Sequence, residues 1–239
     1  MNIAVIFAGG VGTRMNTKSM PKQFLELHGK PIIIYTLEIF ENHSDIDGIV
    51  IACVSEWIPY LKRILSKFGI CKVKKIVSGG ATGQESIYNG LIAVKELYAL
   101  NTTVLIHDGV RPIIDKNLIS NCISSVEKYG TAITVVRAKE TFVILNNYES
   151  VSFIPERQKS VIAKAPQCFV LSSILSAHER AMSDGFNNFI DSCTMMNYYG
   201  YDLALVEGDY ENIKITNPID FYLFRAIEEA RENSQIFGF

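Results

Sequence analysis

Apolar residues along this chain come in two textures. Ile3 to Phe7, Gly48 to Val54, Val73 to Val77, Thr103 to Ile106 and Thr131 to Val136 are short, nearly unbroken apolar runs. The run at Gly48 is β-branched without polar alternation, as strands buried on both faces of a parallel sheet are. Between the runs, Pro31 to Phe40, Trp57 to Phe68, Ile87 to Leu100 and Leu118 to Tyr129 carry apolar residues at helical spacing. Pro31 stands at a first helical position, and Ile58, Leu61, Ile64, Leu65 and Phe68 form one stripe. The alternation β, α, β, α, β predicts an α/β fold.

From Arg137 the pattern changes to polar and apolar residues in alternation. Thr141 to Leu145, the turn Asn146-Asn147 and Ser150 to Ile154 predict a β-hairpin arm within residues 138–164. Phe142, Ile144 and Phe153 give it apolar faces that a lone chain would leave uncovered, so a homodimer in which each arm embraces the partner is expected. Further on, Ser172 opens a helix through Ala181, Asn188 to Cys193 leads into another helical turn, and Pro218 begins a closing helix through Arg231. Leu203 to Val206 and Ile213 to Ile215 read as late strands. No repeat or low-complexity linker interrupts the chain, and residues 1–239 are expected to form one domain.

Composition narrows the class. With 239 residues and 48% hydrophobic content the chain can bury one substantial core. A net charge of −2 and the lack of a long Lys/Arg run argue against nucleic acid or a membrane surface as partner. Cys53, Cys71, Cys122, Cys168 and Cys193 are scattered, without a Cys-x-x-Cys pair, so neither disulfides nor a thiolate metal site is expected and a reducing cytoplasm is the natural home. With Met1-Asn2 leading straight into the first strand, no signal segment is expected, and no apolar run approaches spanning length.

Candidate chemistry clusters at strand ends. The first strand empties into Ala8-Gly9-Gly10-Val11-Gly12-Thr13-Arg14-Met15, followed by Pro21-Lys22-Gln23. A strand ending in glycines lets a ligand approach the backbone, and Arg14 and Lys22 add positive charge, which suits a polyphosphate; a tight connection is the plainer reading. The dinucleotide fingerprint fails at Met15, and Walker A fails because Pro31 follows Gly29-Lys30. A second glycine loop, Ser78 to Ser86, follows the third strand, so both are expected to face one pocket. Ser86 serves either as helix cap or as ligand contact, capping being the simpler assumption. Asp108 ends a central strand, where it either holds a hard cation such as Mg²⁺ or pairs with Arg111. His107, with no second histidine at ligand spacing, is expected to make a structural hydrogen bond. Arg157, Lys159 and Lys164 read by default as solvated charges of the arm, whereas Lys214, between Ile213 and Ile215, needs an exposed edge or a phosphate.

These motifs resemble, in register, a known family. Ala8-Gly9-Gly10-x-Gly12-x-Arg14-Met15, Pro21-Lys22-Gln23, Gly79-Gly80 with Ser86, His107-Asp108-x-x-Arg111-Pro112, Ala165-Pro166-Gln167-x-Phe169 and Asn212-Ile213-Lys214-Ile215-Thr216 are similar to those of cytidylyltransferases acting on methylerythritol phosphate or ribitol 5-phosphate. The resemblance spans nearly the whole chain. It implies a three-layer, Rossmann-like nucleotidyltransferase fold with a dimerising β-arm, and the reaction of CTP with a polyol phosphate to give a CDP-polyol and pyrophosphate. Val110, Ile154-Pro155-x-Arg157 and Asp191-Ser192-Cys193 resemble the ribitol-phosphate branch. Gly83 stands where both branches usually carry arginine, and Ile190 where threonine commonly precedes the aspartate.

The resemblance also implies site residues. Phe7, Ala8, Gly9, Gly10, Gly12, Gly79, Gly80, Ala81 and Ser86, with Asp108 and Lys214, would bind CTP. Asp108, Arg111, Arg157, Asp191 and Thr216 would bind the polyol phosphate, Arg157 reaching in from the partner's arm, and Asp108 would hold Mg²⁺. Because the nucleophile is already an anionic phosphate oxygen, no strong base is needed; alignment and charge stabilisation suffice. Arg14, Lys22, Arg157 and Lys214 are the catalytic candidates. A CTP-binding regulatory module and a methylerythritol-phosphate enzyme remain as alternatives, and an NAD oxidoreductase is disfavoured by Met15.

Overall fold

A computed structural model describes residues 1–9 and 20–237. Gly10, Gly12 and Arg14 of the first loop lie outside the described residues. Strand β1 (Asn2–Ala8) leads to two short strands, β2 (Glu26–Leu27) and β3 (Lys30–Pro31), and to helix α1 (Ile32–Glu41). Pro31 is therefore the residue before the helix, not its first. There follow β4 (Gly48–Cys53), α2 (Ile58–Lys67), β5 (Val73–Ser78), α3 (Gly83–Leu97), β6 (Thr103–Asp108), α4 (Lys116–Tyr129) and β7 (Thr131–Arg137). The arm contributes β8 (Ile144–Leu145) and β9 (Val151–Phe153), shorter than the hairpin pattern predicts. The chain returns as β10 (Val161–Val170), then α5 (Leu171–Ser183), α6 (Ser192–Tyr198), β11 (Leu205–Glu207) and α7 (Pro218–Phe237).

The main sheet runs β11-β7-β10-β6-β1-β4-β5. β1 is parallel to both β4 and β6, β4 is parallel to β5, and β11 is parallel to β7; β10 lies antiparallel between β6 and β7. Alternate side chains explain why the central runs are apolar throughout. Ala4, Ile6 and Ala8 pack on the layer of α1, α2 and α4, whereas Ile3 and Val5 pack on that of α3, α5 and α6. The structure thus has helices on both faces of a mixed, largely parallel sheet.

One expected strand is absent. Ile213 to Ile215 form no strand: Ile215 N–H donates to the Val110 carbonyl, but no ladder partner continues the pairing. The long β10 is legible only afterwards, because Pro166 sits inside it, at a register shift between Ala163 and Gln167. No helix among the described residues is long and apolar enough to cross a membrane.

Candidate active site

The parallel strands set the site's position. Phe7 pairs with Asp108, Ala8 with Cys53, and Cys53 with Ser78, so the carboxyl ends of β1, β4, β5 and β6 finish at one edge. Open α/β sheets bind ligands beyond that edge. Antiparallel β10 brings its opposite end there, since Gln167 pairs with Ile106 and Lys164 and Ala165 lie further out.

At this edge the two glycine loops meet. A Cβ on Gly9 would stand 2.7 Å from Ser86 Oγ and 3.8 Å from Gly79 Cα, so glycine is required by close approach. Ser86 Oγ is fixed there, accepting from Gly80 N–H at 3.0 Å and donating to the Thr82 carbonyl at 2.9 Å. Ser86 is therefore not the helix cap. Thr82 caps α3, its Oγ1 accepting from Glu85 N–H, and the Glu85 carboxylate takes the Ala81 N–H at 2.7 Å. Gly79 N–H donates to the Cys53 carbonyl. The N–H groups of Gly80 and Ala81 are thus engaged within the loop, and that of Gly79 is engaged by the end of β4. Gln23, buried, donates to the Ala8 carbonyl at 2.7 Å and so ties the Pro21-Lys22-Gln23 turn to the end of β1.

Beside the loops a cavity of about 350 Å³ opens, within the usual range for small-molecule sites. Of the residues expected from the sequence, Phe7, Asp108, Arg111, Asp191 and Lys214 line it. Asp108 is its electrostatic centre. Its Oδ2 accepts from Arg111 Nε at 2.8 Å and its Oδ1 from Lys214 Nζ at 2.6 Å. Burial pushes the Asp108 carboxyl up, but the charges of Lys214 and Arg111 and their hydrogen bonds outweigh it and hold it at about 2. The pairing with Arg111 is therefore real, and Lys214, distant in sequence, joins it. Lys214 is delivered by backbone contacts: Ile215 N–H reaches Val110, and Arg111 Nη1 donates to the Asn212 carbonyl at 3.0 Å.

His107 is structural, as its sequence context predicts. Its Nε2 lies 3.1 Å from the Arg111 carbonyl, which can only accept, so Nε2 carries the proton. Burial lowers the imidazole to about 4, against the raising effect of that hydrogen bond and of Asp108, and keeps it neutral.

Other expected residues have structural partners of their own. Asp191 lines the cavity but caps α6, accepting from Thr194 N–H at 2.8 Å, while its Oδ2 accepts from Gln167 at 3.0 Å. Thr216 and Asn217 N–H groups donate to Asp220, which opens α7 in a capping box. Burial raises the Asp220 carboxyl, but these hydrogen bonds and the charge of Lys22 bring it below the usual range. Lys22 thus stands near the α7 start, with Thr216, and not on the cavity wall. Arg157 sits at the exposed root of the arm.

Several wall residues escape sequence reasoning. Gln84 holds the 186–189 segment, donating to the Phe186 carbonyl and accepting from Phe189 N–H, and Gln167 accepts from Cys193 N–H. His178 lines the cavity with neither ring nitrogen partnered, and burial lowers it to about 4. Lys164 is no solvated arm charge: it lines the cavity, half-buried, with Nζ 3.1 Å from the Tyr210 carbonyl and 3.0 Å from that of Asn212. Its only sequence signal is its place just before Ala165-Pro166-Gln167. Among the described residues no cluster of three or more His, Cys, Asp or Glu side chains could hold a metal by itself.

Glycine loops and cations gathered around one carboxylate at the carboxyl edge of the sheet suit a nucleotide and its phosphates. The family model described as IspD, 2-C-methyl-D-erythritol 4-phosphate cytidylyltransferase, matches residues 2–229, and the chain belongs to that family of cytidylyltransferases. It is 54% identical over 238 residues to a ribitol-5-phosphate cytidylyltransferase of Streptococcus agalactiae serotype III, covering 100% of both chains. It is 53% identical to one from Vibrio parahaemolyticus, again over 100% of both. A 2-C-methyl-D-erythritol 4-phosphate cytidylyltransferase of Clostridium botulinum is 40% identical over 228 residues, covering 95% of this chain and 97% of the relative. Among solved structures, 4-diphosphocytidyl-2C-methyl-D-erythritol synthase from Anaerococcus prevotii superposes with a TM-score of 0.82 at 27% identity, over 95% of this chain and 96% of that one.

Proposed function

We propose that this cytidylyltransferase transfers CMP from CTP to D-ribitol 5-phosphate, giving CDP-ribitol and pyrophosphate. The observation that carries the reading is the end-to-end identity of 53–54% to ribitol-5-phosphate cytidylyltransferases. The Asp108–Arg111–Lys214 cluster at the cavity supports it chemically. A phosphate oxygen of the alditol phosphate attacks the α-phosphorus of CTP, a P–O bond forms, and the bond to the β-phosphate oxygen breaks as pyrophosphate leaves. The step concentrates charge on α-phosphate oxygens, and preorganised cations lower its barrier.

In this reading Lys214 orients the α-phosphate. It is 40% exposed and can exchange its contact with Asp108 for one with phosphate. Arg14 and Lys22 stabilise the transition state and the leaving pyrophosphate. Phe7, Ala8 and the two glycine loops accommodate the nucleotide, and Asp191 takes a polyol hydroxyl.

Asp108 fits Mg²⁺ in donor chemistry. The ion is commonly bound through one or two carboxylates, with waters and substrate phosphates completing its shell, and Asp108 is an ionised carboxylate on the cavity wall whose Oδ1 is freed when Lys214 turns to the α-phosphate. Bound there, Mg²⁺ would neutralise phosphate oxygens of CTP.

A homodimer formed through the arm completes the reading, with Arg157 supplied to the partner's acceptor. Supporting it, Leu145, Tyr148, Val151, Phe153 and Ile154 are all more than half exposed, a concentration of apolar surface unusual for a lone chain.

The test is pyrophosphate release with CTP and either ribitol 5-phosphate or 2-C-methyl-D-erythritol 4-phosphate. Release with the first and not the second is expected. Release only with the second would overturn the ribitol assignment, and absence of release with both would overturn both substrates.

A further inference from the structure

The cavity wall holds an unbalanced positive charge. Three cations, Arg111, Lys164 and Lys214, stand on it against two carboxylates, Asp108 and Asp191; Arg111 and Lys214 share Asp108, one on each carboxylate oxygen, and Asp191 accepts from Thr194 and Gln167. Among the described residues no carboxylate lies within ion-pair distance of Lys164; Asp209 acts on it only from further away. An ammonium drawn partly out of water without a counter-charge is costly unless a ligand supplies one.

Its position is also prepared. Two of its three N–H donors are spent on the Tyr210 and Asn212 carbonyls, which aim the head and remove the freedom of the lysine stem. The Asn212 carbonyl also accepts from Arg111 Nη1, so the two cationic heads are neighbours around one oxygen. Asn212 is itself buried and donates to the Ala165 carbonyl, so the arrangement is tied into β10. A pair of fixed neighbouring cations suits two oxygens of a phosphate dianion. Burial, then Arg111 and Lys139, push the Lys164 ammonium down to about 8 against the opposing pull of Asp209, so it remains mostly charged near neutral pH and gains when an anion arrives.

Topology says which phosphate. The glycine loops follow β1 and β5, on one side of Asp108; Lys164 is on β10, on the other side, across β6. We propose that Lys164, with Arg111, docks the phosphate of the acceptor alditol phosphate and is a specificity-determining residue for it. This rests on the cytidylyltransferase reading above.

The test separates charge from structure. Lys164→Gln keeps donors for both carbonyls but loses the charge, and Lys164→Arg restores it; thermal melts monitor folding of each. In the glutamine variant KM for ribitol 5-phosphate should rise tenfold or more with KM for CTP within twofold, and the arginine variant should recover most of the loss. Inorganic phosphate, titrated calorimetrically, should bind the glutamine variant at least fivefold more weakly than wild type, while binding of unphosphorylated ribitol stays the same. A change confined to KM for CTP, or phosphate binding equal in the two proteins, would overturn the proposal. If wild type fails to turn over ribitol 5-phosphate, the substrate reading falls while the phosphate titration still decides the role of Lys164.

Discussion

Replacing Asp108 by asparagine tests whether one carboxylate organises the site. The substitution is isosteric, but it offers a single carbonyl oxygen to two cations, so either Arg111, now 2.8 Å from Oδ2, or Lys214, 2.6 Å from Oδ1, must face an amide NH₂. Removing one partner of a buried ion pair costs about 3–5 kcal/mol. Arg111 is only 12% exposed beside the buried Asp108, whereas Lys214 is 40% exposed and can turn to water, so the lower end, about 3 kcal/mol, applies. For a chain of this size each kcal/mol moves the melting temperature by about 2–4 °C, giving a fall of about 6–12 °C. Turnover should drop by about a hundredfold or more, on the scale of a lost preorganised electrostatic contact. Because the Asp108 carboxyl is held at about 2, no ordinary assay pH mimics the change. Calorimetry and pyrophosphate release measure both effects. An asparagine variant with wild-type melting and turnover would refute the claim that Asp108 holds the two cations in place.

Three further outcomes are expected. His107 and His178 are both lowered to about 4 by burial, below the ordinary 6.5 of an unfolded chain. The unfolded state therefore binds protons first, and stability falls as pH drops from about 6.5 towards 4, by up to about 3 kcal/mol for each histidine. In denaturant melts His178→Leu should remove about half of that acid slope; an unchanged slope counts against it. Gly9→Ala should raise KM for CTP at least tenfold, since its Cβ would meet Ser86 Oγ, itself pinned by Gly80 N–H and the Thr82 carbonyl, at 2.7 Å. A wild-type KM in that variant would break the link between the close approach of the two loops and nucleotide binding. Deleting Phe142 to Phe153 should give monomers in sedimentation and abolish activity, whereas an active monomer would rule out Arg157 acting across the dimer.

The helical stripes and doubly buried strands are written in the sequence because each is a local periodicity. Ile3 to Phe7 records burial on two faces whatever lies next to it, and Leu61, Ile64 and Leu65 mark one face of a helix. Both glycine loops were legible for the same reason: they end such runs, and parallel strands finish at a common edge. Asp108 and Arg111 stand close enough in sequence to be read as a pair.

Only the tertiary structure decided the rest. β10 hides its identity behind Pro166 and reverses direction inside an otherwise parallel region, and that reversal turns Lys164 from an arm charge into a cavity wall. Lys214 reaches Asp108 across more than a hundred residues through the Ile215–Val110 and Arg111–Asn212 contacts. Ser86 yields the helix cap to Thr82, and Asp191 and Thr216 are drawn into caps of neighbouring helices. Local pattern fixes which face of an element is buried, because that depends on one segment's own period. Which cation meets which carboxylate depends on how segments far apart in the chain are brought to the same edge, and no single segment carries that information.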